Sequence, residues 1–128
     1  MNVRVQVVDD DAVLRAVACL QVQLADDLQL VAESADGAEA IVAARAHRPD
    51  VILLDVDMPV LSGLDALPQL VEIVPDALIV VYTADHSDAI RDTAFRLGAG
   101  ALVRKGITPI SDVLAIVRQH RTIGPSPA

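Results

Sequence analysis

Short apolar runs alternate along the chain with stretches whose apolar residues recur every three or four positions. VRVQVV (3–8) reads as a strand, and helical spacing follows from Ala12 to Leu24. LQLVAE (28–33) is a strand, Gly37 marks a turn, and Ala38 to His47 is an alanine-rich helix with Ile41 and Val42 on its apolar face. VILLD (51–55) is a strand, and Leu64 to Ile73 is a helix with Pro68 inside its pattern. ALIVVYT (77–83) is a strand, and Ser87 to Leu97 is a helix closed by Gly98. GALVRK (100–105) is the last strand, and Ile110 to His120 the last helix, with Ile110, Val113, Leu114 and Val117 at helical spacing. Strict alternation of strands and helices predicts an α/β domain: right-handed crossovers, a doubly wound parallel sheet and helices on both faces. The runs around Leu53 and Val80 are apolar throughout, as strands covered on both sides require. Gln6 breaks the pattern, because a polar side chain in mid-strand needs a partner if it is buried.

A chain of 128 residues has the size of one domain, placed here at residues 1–121. Residues 122–128 (TIGPSPA) are rich in Pro, Gly and Ser and read as a linker or a disordered tail. Hydrophobic residues make up 53 %, enough for a real core. With one Tyr, one Phe and no Trp, that core must be aliphatic. No apolar run approaches the roughly 18 residues that a membrane span needs, and the first residues lack a signal peptide's plan. A single cysteine, Cys19, cannot form an internal disulfide. A reduced, cytoplasmic setting fits it, as a small buried hydrophobe on the first helix. The net charge of −8, with no basic stripe and no aromatic platform, argues against nucleic acid as a partner of this domain.

In an open parallel sheet, ligands bind beyond the carboxyl ends of the strands. The first strand ends in Asp9, Asp10 and Asp11, and the third in Asp55 followed by Asp57. The fourth ends in Thr83 followed by Asp85, and the fifth in Lys105. Arg4 and Asp50 fall near the opposite rim. Carboxylates gathered at one rim repel one another unless a cation lies among them. A few hard oxygen ligands suit Mg²⁺, which keeps several of its waters and is at home beside phosphate. A hydroxyl and an ammonium, from Thr83 and Lys105, are donors for phosphoryl oxygens. An aspartate beside a metal is an activated nucleophile. The set reads as phosphoryl transfer onto a carboxylate. Asp11 also reads as a helix N-cap, and His47, His86 and His120 read as surface residues at helix ends.

These residues in this order resemble the receiver domain of two-component response regulators. The matching stretches are VVDDD, VILLDVDMPVLSGLDAL, VVYTAD and GAGALVRKG. The resemblance implies a flavodoxin-like sheet of strand order 2-1-3-4-5. It makes Asp55 the phosphoacceptor and Asp10 a direct Mg²⁺ ligand, with Asp9 ligating through water. It has Asp57 offering its backbone carbonyl to the metal, and Thr83 and Lys105 holding the phosphoryl oxygens. It implies a sensor histidine kinase or a phosphotransfer protein as partner. The face of the fourth helix, fifth strand and fifth helix becomes the output and homodimer surface. No catalytic activity is implied beyond self-catalysed phosphorylation and dephosphorylation. ADGAEA, RPDVILLD and the KG after the fifth strand look most like receivers joined to a helix-turn-helix DNA-binding domain, an output in transcription.

The chain departs from the family at four places. Leu102 stands where receivers usually have a Tyr or Phe that swings inward, and Gly106 where many have a proline. Pro68 lies within a helix, and Asp57 is acidic beside the line of water attack. Two other readings compete. Haloacid dehalogenase-like phosphatases carry an Asp-x-Asp like Asp55-Val56-Asp57, but on the first strand of a larger chain. A receiver-like module that is never phosphorylated is the other, favoured by Leu102 and opposed by the five site anchors.

Overall fold

The computed structural model describes residues 2–58, 61–84, 87–104 and 110–123, with the side chains of 110 and 120–123 excepted. The elements are β1 (Val3–Val8), α1 (Ala12–Leu24), β2 (Leu28–Ser34), α2 (Gly37–His47), β3 (Val51–Asp55), α3 (Gly63–Ile73), β4 (Leu78–Thr83), α4 (Asp88–Arg96), β5 (Ala101–Arg104) and α5 (Ile110–Ile123). All pairings are parallel, in the order β2-β1-β3-β4-β5. This is the predicted doubly wound sheet. Its order reverses between β1 and β3, so the crevice at their carboxyl ends is where a ligand belongs.

Alternate residues of each strand feed opposite layers, as the two-residue strand period demands. Val8, Ile52, Leu54, Ile79 and Val81 meet Ala40, Ala44, Leu67 and Leu70 of α2 and α3, together with Ala94 of α4. Val5, Val7, Leu53 and Val80 meet Cys19 and Val22 of α1, and Val113, Leu114 and Val117 of α5. Every residue of β3 is buried, so its unbroken apolar run and its terminal Asp55 belong to the centre of the sheet. Asp11, Asp36, Ser62 and Ser87 cap the four helices that follow β1 to β4, each accepting a backbone N–H of the first turn.

Several local expectations change. Gly37 is the first residue of α2 rather than a turn, because Asp36 is the cap and the Gly37 N–H reaches the Leu61 carbonyl at 3.0 Å. Helix α5 continues to Ile123, two residues into the stretch read as linker; Gly124 and Pro125 are the stop signal in the sequence. Pro68 is truly internal to α3, on its exposed side. The apolar residues that mark α1 as a helix are mostly not its core face: Val13, Val17, Leu20 and Leu24 are 47–71 % exposed. Gln6 is fully buried, and its amide nitrogen donates to the Ala40 carbonyl at 3.0 Å and to Ser34 Oγ at 3.4 Å. Its Oε1 has no partner among the described residues. Arg4 and Asp50 sit together at the far rim, where the Arg4 N–H donates to Asp50 Oδ2 at 2.9 Å. Among the described residues, no helix is long and apolar enough to cross a membrane.

Candidate functional site

Asp9 is the first residue beyond β1, and Asp55 is the last of β3. Because Val8 is in register with Leu54, the two aspartates stand side by side at the carboxyl rim. Both are buried, whereas Asp10 is exposed. Carboxylate oxygens of Asp9, Asp10 and Asp55 all lie within 4.8 Å of one another. Three hard oxygens converging from two strand ends, with one acid open to solvent, fit a cation that keeps part of its water shell, as Mg²⁺ does.

The surrounding backbone fixes these acids. Asp9 Oδ1 accepts the Asp11 N–H at 2.9 Å, and the Arg15 guanidinium donates to the Asp9 carbonyl at 2.8 Å. Asp55 Oδ1 accepts the Asp57 N–H at 3.2 Å. The side chain of Asp57 is exposed and stands outside the three-acid group. Gly63 opens α3 and donates its N–H to the Val56 carbonyl at 3.0 Å. A side chain at Gly63 would collide with the Asp55 carbonyl. The missing Cβ is what lets α3 start directly behind the aspartate. Asp11 is the N-cap of α1, its Oδ1 accepting from Val13 and Leu14. His47 is exposed at the end of α2.

Thr83 ends β4, fully buried, one residue beyond the position in register with Asp55. Leu102 lies half-buried on β5, opposite Val81, packed against the layer formed with α2, α3 and α4. Lys105, Asp85, Gly106 and His86 lie outside the described residues, as does the side chain of His120.

Tyr82 is a site neighbour that sequence reasoning missed. It faces the α1 and α5 layer, opposite to Thr83, as strand alternation predicts. Yet its hydroxyl donates to Asp9 Oδ2 at 3.0 Å, and lies 3.2 Å from the Val8 carbonyl. Burial, then the charges of Asp9 and Asp55, hold the phenol well above its ordinary pKa. The signal was in the register: Asp9, Asp55 and Tyr82 share one face of three successive strands.

Residues 5–118 match the family model described as the response regulator receiver domain. The chain belongs to that family. As a receiver domain it resembles curated proteins of different names. It is 35 % identical over 100 residues to a protein-glutamate methylesterase/protein-glutamine glutaminase of Nitrosospira multiformis, covering 78 % of this chain and 28 % of that one. It is 35 % identical over 104 residues to the response regulator GacA of Pseudomonas viridiflava, covering 81 % of this chain and 49 % of that one. The receiver thus spans between about a quarter and a half of these relatives' lengths. Among solved structures, the response regulator domain of Thermotoga maritima CheB is 30 % identical, with a TM-score of 0.87, covering 98 % of this chain and all of that one. Receiver likeness at this level is shared by a protein named as an esterase and one named as a response regulator.

Proposed function

We propose that the domain accepts a phosphoryl group on Asp55 from a sensor histidine kinase or a phosphotransfer protein. The observation that carries this reading is the convergence of Asp9, Asp10 and Asp55 at the carboxyl rim, with Asp55 buried at the end of the central strand. Asp10 and Asp55 would hold Mg²⁺ directly, Asp9 through water, and Asp57 through its backbone carbonyl. When bound, Mg²⁺ supplies positive charge for the acids and for the phosphoryl oxygens.

The chain's own residues then have distinct tasks. An Asp55 carboxylate oxygen attacks phosphorus. The bond from phosphorus to the donor's imidazole nitrogen breaks, and that nitrogen leaves with the electron pair. The product is an aspartyl phosphate, whose oxygens the Thr83 hydroxyl and the Lys105 ammonium receive. Asp57, exposed beside Asp55, stands where water approaches for hydrolysis. The output is read on the face of α4, β5 and α5, which also serves as the dimer surface. Leu102 is a smaller lever there than an aromatic ring. The working compartment is the cytoplasm. With a helix-turn-helix domain attached, the output is transcription.

Incubation with acetyl phosphate and Mg²⁺, read by intact mass, tests the assignment. One phosphoryl group should be gained by the wild type, be lost in alkali, and be absent both in Asp55→Ala and when EDTA removes the metal. A gain that survives Asp55→Ala overturns it.

A further inference from the structure

The geometry points to Tyr82 as a positioning residue for the metal site, its hydroxyl aiming the Asp9 carboxylate. This deepens the reading above and rests on it. Tyr82 is in register with Asp55, and the sheet order places β3 between β4 and β1. To meet Asp9, the phenol must cross the strand that carries Asp55. Its ring packs against the layer built from β1, β3, β4, α1 and α5, so the hydroxyl is held from below by the core.

Two donors among the described residues reach different oxygens of the carboxylate. Oδ1 takes the Asp11 N–H at 2.9 Å, and Oδ2 takes the Tyr82 hydroxyl at 3.0 Å. An ionised carboxylate offers about four acceptor sites, so a hydrogen bond to each oxygen is compatible with a role toward a metal or its water. The first donor belongs to the loop after β1 and moves with Asp9. The second comes from a different strand and fixes Asp9 relative to the sheet. A phenylalanine would fill the same apolar space, so packing alone does not require the hydroxyl. Outer partners of metal-binding carboxylates act in this way, and losing one typically costs 10–100-fold in affinity.

The test compares wild type, Tyr82→Phe and Asp10→Ala in Mg²⁺ titrations followed by backbone amide shifts. Tyr82→Phe should remain folded without metal and bind Mg²⁺ about tenfold more weakly. Raising Mg²⁺ in proportion should restore its phosphorylation by acetyl phosphate. A merely structural hydroxyl would instead lower the metal-free thermal midpoint and leave the affinity unchanged. Mg²⁺ affinity within twofold of wild type in Tyr82→Phe, with binding lost in Asp10→Ala, overturns this inference and leaves the functional reading standing. Wild type that binds no Mg²⁺ overturns both.

Discussion

Cys19 shows how surroundings set the chemistry of one side chain. Burial first, then the negative charge of Glu33, pushes its thiol from 9.0 up to about 11. The folded thiol is therefore protonated near neutrality and a poor nucleophile. The unfolded chain ionises at the lower value, so between these limits the folded state binds more protons. Its contribution to stability is complete below pH 9 and is lost as the pH rises toward 11. Urea midpoints measured from pH 8 to 11 should fall more steeply for wild type than for Cys19→Ala. That this cysteine is buried was legible from its place on a helix. That Glu33, from the neighbouring strand, bears on it was not. The same limit hid Tyr82. Its side chain turns away from Thr83, and its hydroxyl meets Asp9 only by reaching across β3. Gln6 stayed opaque for a like reason, since its partners Ala40 and Ser34 come from other elements.

At the level of elements, the alternation of strand and helix was written in the periodicity, because each period reports burial directly. Ends were harder, because a cap such as Asp36 overrides the usual meaning of the glycine after it. Helix α1 is the instructive miss. Its apolar spacing gave the right element, while much of that apolar surface lies in solvent. Leu20→Gln should therefore change stability by no more than about 0.5 kcal/mol, whereas Leu53→Ala should cost about 2–5 kcal/mol. Denaturant unfolding of both variants checks the contrast. In α3, Pro68 removes the amide that the Leu64 carbonyl would accept and occupies an exposed interior position. Pro68→Ala should stabilise the protein by about 1–3 kcal/mol, less whatever Pro68 saves by stiffening the unfolded chain. Gly63→Ala should act oppositely. The added methyl meets the Asp55 carbonyl, so α3 must retreat, and phosphorylation by acetyl phosphate should slow along with a fall in thermal midpoint.

Across the whole molecule, two aliphatic layers hold a sheet whose carboxyl rim gathers the acids. The family was readable because the domain puts its chemistry where strands stop, the strand order followed from the resemblance, and Asp9, Asp10 and Asp55 are the rim acids that the fold brings together. The contribution of Lys105 rests on sequence alone. One consequence of the Tyr82 contact is optical. The chain has a single tyrosine and no tryptophan, so its near-ultraviolet emission comes from one phenol, and that phenol donates to a carboxylate of the acidic cluster. Carboxylate acceptors quench excited phenols by drawing off the proton. A cation that takes charge from Asp9 should relieve the quenching, so emission should rise as Mg²⁺ is added and fall again with EDTA. Asp10→Ala should leave it flat. The unlabelled protein thus reports the state of its own site in the colour it was built with.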